Sequence, residues 1–203
     1  MLHITLLGDS IFDNGAYVGG KPDVRSHLQR LVPKRSKVTL CAVDGSRTKD
    51  IRSQIPSIPK DTTHLVLSVG GNDALAHTDV LTSQNTSSVK ILEYLAILVE
   101  DFGLSYRAAV KEVMKVGKPL LLCTIYNGNL PIEIAKATRA AVSIFNDKIY
   151  QIAEEYSLPV LELRRVCIEP SDYANPIEPS SSGGKKIAEG ILKSLLPRNR
   201  YER

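Results

Sequence analysis

The chain presents Gly8-Asp9-Ser10 directly after the apolar run His3-Ile4-Thr5-Leu6-Leu7. The run predicts a buried first strand, and Gly8 lets the backbone turn sharply at its end. Such a turn leaves the Ser10 hydroxyl at the C-terminal end of the strand, where parallel sheets place their sites. A hydroxyl held there is a candidate nucleophile. The competing reading is a plain strand end or helix cap, where Asp-Ser is common.

Three further segments carry residue types suited to chemistry. Asp44-Gly45-Ser46-Arg47-Thr48 and Gly70-Gly71-Asn72-Asp73 each follow an apolar run. Asn175-Pro176-Ile177-Glu178-Pro179-Ser180 precedes the last helical stretch. Each is a weak signal by itself; Gly70-Gly71-Asn72-Asp73 alone reads as a strand-end turn.

The elements that must position these segments follow from the apolar pattern. Residues 37–43, 64–69, 119–125 and 159–163 are the remaining strand candidates. Continuous apolar runs of this kind suit strands buried on both faces, in a parallel sheet covered by helices. Val24, Leu28 and Leu31 mark a helix over 22–31, and residues 89–116 read as one long helix or two. Ile134, Ala137, Ala141, Ile144, Phe145, Ile149 and Ile152 mark a helix over 133–156. The last helix runs from about Gly184 to Leu196 and stops at Pro197. This alternation predicts an α/β fold, a three-layer α/β/α sandwich of about five parallel strands with right-handed crossovers. Loops after the strands then gather along one sheet edge. No repeat, linker or low-complexity segment interrupts residues 1–203, which implies a single domain.

Composition narrows the partners. At 203 residues the chain is long enough for one sizeable core, and its formal net charge is only +4. No basic run is interleaved with aromatics, so nucleic-acid binding is not expected. No stretch is long and apolar enough to span a membrane, and no signal peptide is visible. Cys41, Cys123 and Cys167 fit no zinc spacing; Cys41 and Cys123 lie in apolar runs and suit reduced interior positions, and a cytoplasmic location is expected. Oligomeric state is not legible.

Taken together and in order, the four segments resemble the GDSL, or SGNH, hydrolase family. Gly8-Asp9-Ser10 looks like its nucleophile block, with Ile11 at the usual Leu position. Asp44-Gly45-Ser46 looks like the glycine block, whose backbone N–H belongs to the oxyanion hole. Gly70-Gly71-Asn72-Asp73 looks like the block whose Asn side chain is another oxyanion donor. The resemblance implies a flavodoxin-like fold and hydrolysis of small-molecule acyl esters or thioesters through an acyl-serine, with no metal and no cofactor. It implies Ser10 as nucleophile, with Gly45, Asn72 and the Ser10 backbone holding the oxyanion. Rigid donors aimed at that oxygen are each worth roughly 3–4 kcal/mol of barrier.

The fourth block departs from the family. Glu178-Pro179 stands where His-Pro is expected, Asn175 stands at the Asp position, and Gly183 keeps its spacing. Three explanations compete. Glu178 is the general base, handicapped by about two pKa units against imidazole unless burial raises it; the Asn175 amide would then donate to its carboxylate. Alternatively His77, four residues past Asp73, reaches the site; a solvated surface histidine is its competing reading. His3 and His64 begin strands, at the far edge, and His27 lies on the first helix. In the third explanation the protein binds an acyl or carbohydrate ligand without turnover.

Around this set, Asp9 is expected to accept backbone N–H groups, Asp13 to do the same or to contact substrate, and Asp73 to play a secondary, orienting part. Arg47 is open to three roles: binding an anionic substrate, pairing with Glu178, or facing solvent. Tyr17 and Tyr126 are candidate pocket walls. A metal-dependent phosphoesterase using Asp9, Asp73 and Glu178 as oxygen ligands is the third functional class.

Overall fold

A computed structural model describes residues 1–79 and 87–196. Strands β1 (His3–Gly8), β2 (Lys37–Leu40), β3 (His64–Ser68), β4 (Leu120–Cys123) and β5 (Val160–Leu161) form one sheet in the order β2-β1-β3-β4-β5. Every pairing is parallel. Strand order reverses between β1 and β3, so a crevice opens outside their carboxyl ends. Both strands deliver a chemistry-bearing segment to that edge.

The helices are α1 (Val24–Leu31), α2 (Ile51–Gln54), α3 (Gly71–Leu75), α4 (Ser88–Met114), α5 (Ile132–Glu155) and α6 (Ser181–Leu195). Successive strand residues face opposite sides, so neighbouring leucines feed different cores. Leu6, Val66 and Leu121 pack with Leu28 of α1 and Ile187 and Ile191 of α6. Leu7, Leu67 and Leu122 pack with Phe102 and Val110 of α4 and Phe145 and Ile149 of α5. The result is the expected three-layer α/β/α arrangement. Each fully buried Leu or Ile contributes roughly 1.5–3 kcal/mol.

Some boundaries differ from expectation for visible reasons. β2 stops at Leu40 rather than Val43 because the N–H groups of Cys41 and Ala42 both donate to the Leu6 carbonyl, at 2.8 and 3.0 Å. Two successive donors on one acceptor break the regular ladder, although the Val43 N–H still donates to the Gly8 carbonyl at 3.1 Å. Residues 88–114 form one helix. α6 starts ahead of Gly184 because the Ser180 Oγ accepts the Gly183 N–H and caps it. The expected stop at Pro197 lies outside the described residues.

Gly8 is required where it stands. Its φ is +133°, and a Cβ there would sit 1.8 Å from the Ser68 carbonyl oxygen. Only glycine lets β1 end against β3 and turn into the Asp9-Ser10 segment.

Candidate active site

The turn after β1 is tightly wired. The N–H groups of Phe12 and Asp13 donate to the Asp9 carbonyl, and that of Ile11 donates to Asp9 Oδ1. The N–H of Ser10 donates to no protein acceptor among the described residues. Ser10 Oγ donates to Glu178 Oε1 at 3.1 Å, across 168 residues of sequence. Both side chains are more than nine-tenths buried.

Glu178 is held by its neighbours' backbone. Asn175 Oδ1 accepts the N–H groups of Ile177 and Glu178, at 2.9 and 2.8 Å. This corrects the expectation that the Asn175 amide donates to the Glu178 carboxylate. An Asn placed just before free N–H groups closes an Asx turn, which orients the segment rather than the carboxylate. The Tyr126 hydroxyl donates to the Ile177 carbonyl, and the Asn129 N–H to that of Pro176. Asn14 Nδ2 donates to the Pro179 carbonyl at 3.1 Å while its Oδ1 accepts the Val24 N–H at 3.0 Å. Fully buried Asn14 thus ties the nucleophile loop to the residue after Glu178.

Burial raises the pKa of Glu178 from 4.5 to about 6; the Ser10 hydrogen bond opposes the rise and the Asp44 charge adds to it. Its Oε2 is buried with no hydrogen-bond partner among the described residues. Asp9 is pushed up to about 8 by burial, against the Ile11 N–H, with repulsion from Glu178 and Asp73 adding. Arg47 is exposed and does not pair with Glu178. Asp13 accepts the Asp44 N–H at 3.0 Å, and Asp44 accepts the Tyr17 hydroxyl at 2.6 Å, which holds that hydroxyl up to about 12.

On the opposite side of the crevice, Gly45 is exposed and its N–H donates to no protein acceptor among the described residues. Asn72 Nδ2 donates to the Ser46 carbonyl at 3.0 Å, which ties its amide to the Ser46-Arg47 peptide, one residue past Gly45. Asp73 accepts both the N–H and the hydroxyl of Thr48, at 3.1 and 2.7 Å, and fixes the far side of that loop. Gln54 of α2 accepts the Gly8 N–H at 2.8 Å and donates to the Gly8 carbonyl at 2.7 Å and to Ser46 Oγ at 3.2 Å. One buried amide therefore joins the nucleophile turn to the glycine loop.

His77 lies two residues beyond α3 and makes no hydrogen bond to Ser10 or Glu178; it borders a polar recess with Arg47, Asp73 and Asp101. His3 and His64 begin β1 and β3, and His27 meets Ser181 Oγ at 3.0 Å. Asp9, Asp73 and Glu178 do not converge: among the described residues no three His, Cys, Asp or Glu side chains are grouped to hold a metal ion. Asn14 and Gln54 escaped the sequence reading. Asn14 sits in Asp13-Asn14-Gly15, which reads as a plain turn, and Gln54 follows Arg52 and Ser53 in a polar stretch, so neither stood out from its neighbours.

The sheet order and crevice define a flavodoxin-like α/β/α hydrolase fold. Residues 6–183 match the GDSL-like lipase/acylhydrolase family, and the chain belongs to it. Solved structures share the fold at low identity. The extracellular lipase of Streptomyces rimosus is 15% identical with a TM-score of 0.71, over 96% of this chain and 100% of that one. The phospholipase A1 of Streptomyces albidoflavus NA297 is 15% identical with a TM-score of 0.73, over 95% and 98%. The acetyl xylan esterase AlAXEase is 14% identical with a TM-score of 0.69, over 96% and 100%. No curated protein is similar to the sequence at a significant level.

Proposed function

We propose that the protein hydrolyses carboxylic esters or thioesters through an acyl-Ser10 intermediate, with Glu178 as general base. The observation that carries this is the Ser10 Oγ to Glu178 Oε1 hydrogen bond of 3.1 Å in a buried setting. Ser10 Oγ attacks the carbonyl carbon while its proton passes to Glu178 Oε1. Negative charge develops on the carbonyl oxygen, and the N–H groups of Ser10 and Gly45 with the second amide hydrogen of Asn72 receive it. Collapse breaks the ester bond, and the leaving oxygen or sulfur takes the proton from Glu178. Water then gives its proton to Glu178 and attacks the acyl-serine, which releases the acid and returns the proton to Ser10.

The raised pKa answers the weakness of a carboxylate base. At about 6, Glu178 is ionised at neutral pH yet nearly as basic as imidazole, whose ordinary value is about 6.5. Its unpartnered Oε2 fits this behaviour, because no second donor among the described residues drains charge from the carboxylate.

A fluorophosphonate probe tests the reading. Wild type is expected to be labelled at Ser10 and Ser10→Ala to stay unlabelled. Equal labelling of the two removes Ser10 from the mechanism. No labelling of either, with ligand-induced thermal stabilisation by acyl or carbohydrate compounds, favours a binding protein without turnover.

A further inference from the structure

The family leaves the acyl group open, since the similar structures include a phospholipase A1 and an acetyl xylan esterase. We propose that this chain selects medium-length linear acyl groups, of about six to eight carbons by cavity size, bound in a cleft between α4 and α5. The inference rests on the serine hydrolase reading and adds its substrate class.

The cleft reaches the candidate site at two points. Gly71 and Ile177 both line it, and they immediately precede Asn72 and Glu178. An acyl chain leaving the carbonyl between those two residues has this cleft directly in front of it. The deep wall is apolar: Leu95 and Leu98 from α4, Ala141, Val142 and Phe145 from α5, with Ile125 after β4. Leu95, Val142 and Phe145 are buried, so tertiary packing fixes their positions. Among the described residues no Asp, Glu, Lys or Arg lines the cleft. The adjoining recess, by contrast, holds Arg47, Asp73 and Asp101. The two depressions share His77, Leu98 and Phe145, but the charged carboxylate and guanidinium side chains lie in the recess, and the cleft would reject a charged acyl group.

Size sets the limit. The cleft has a cavity volume of about 90 Å³. A water-sized group needs roughly 10–15 Å³ of such space, so the cleft has room for about six to nine methylene-sized groups. An acetyl group leaves the apolar wall uncovered. Each methylene moved from water onto that wall raises kcat/KM by up to about fourfold.

The experiment is a chain-length series of p-nitrophenyl esters from acetate to dodecanoate, with Ser10→Ala as the blank. Wild-type kcat/KM is expected to rise at least about tenfold from acetate to hexanoate or octanoate and to fall by dodecanoate. Ala141→Phe, which fills the cleft from α5, should lower the octanoate-to-acetate ratio at least about tenfold. Leu98→Phe fills it from the α4 wall and provides the same readout if the first variant does not fold. An optimum at acetate, a flat series, or an unchanged ratio in the folded variants overturns the acyl assignment while leaving the Ser10 mechanism standing. Turnover of no ester above the Ser10→Ala blank overturns that mechanism, and the acyl assignment with it.

Discussion

The two faces of the sheet are built differently. On one, α1 and α6 close over the core with Val24, Leu28, Ile187, Ala188 and Ile191 all fully buried. Gly183 lets α6 begin against the Asp172 backbone, where a Cβ would lie 2.1 Å from the carbonyl oxygen. On the other, α4 and α5 are long helices whose first turns leave Val89, Leu92 and Ile132 exposed, and between them lies the apolar cleft. The contrast separates two tasks. The closed face fixes the Glu178 segment through buried Asn14, which bonds both the Pro179 carbonyl and the Val24 N–H that opens α1. The open face leaves room that a substrate can fill.

The sharpest way to break this division is at the closed face. Glu178→Gln keeps the shape and removes the base, and kcat on a good ester is expected to fall about a thousandfold. A change below tenfold moves the base elsewhere. Asn72→Ala, between the two faces, removes one oxyanion donor, with an expected loss of about a hundredfold or more in kcat and little change in KM. A rise in KM alone would make Asn72 a binding group.

The titration of the closed face supplies a third test. Glu178 acts only when ionised, so kcat/KM should fall about tenfold per pH unit below its value of about 6 and level off above it. Stability should run the other way. Glu178 and Asp9 both have folded values above their ordinary ones, about 6 and about 8. Each contributes stability at low pH that is lost as pH rises through its folded value. Denaturant midpoints are therefore expected to decline between pH 4 and 8 where activity climbs, and Asp9→Asn should flatten the upper part of that decline.

Smaller effects sharpen the picture. Asn14→Ala orphans the Pro179 carbonyl and the Val24 N–H, at a cost of about 1–3 kcal/mol in unfolding free energy. Because the lost bonds hold the segment of Glu178, kcat should fall by about tenfold as well. On the open face, His77→Ala is expected to change kcat on an acetate ester by less than about threefold, since no hydrogen bond joins His77 to Ser10 or Glu178. A loss above a hundredfold would give His77 the role assigned to Glu178.

Most of the frame was legible in the sequence because it rests on apolar runs. β1 and β3 begin at the expected residues and deliver Ser10 and Asn72 to one edge. The end of β2 was not legible, since it depends on two N–H groups choosing one carbonyl. The approach of Glu178 to Ser10 followed from family spacing, but the use made of Asn175 did not. Residue type specifies what an amide can do, and only the local turn decides which of its atoms is used. Gln54 and Asn14 were missed for a related reason. Apart from the Ser46 hydroxyl their partners are backbone atoms, and a carbonyl or N–H leaves no mark in the sequence.

The separation of Ser10 and Glu178 by 168 residues orders events in time. During synthesis the hydroxyl emerges early, and its proton acceptor arrives only after the whole sheet has been translated. On the proposed mechanism, a nascent or half-folded chain lacks the pair and turns over no ester. Recovery of turnover during refolding should lag behind recovery of helical circular dichroism, because the last helix must dock before the pair exists.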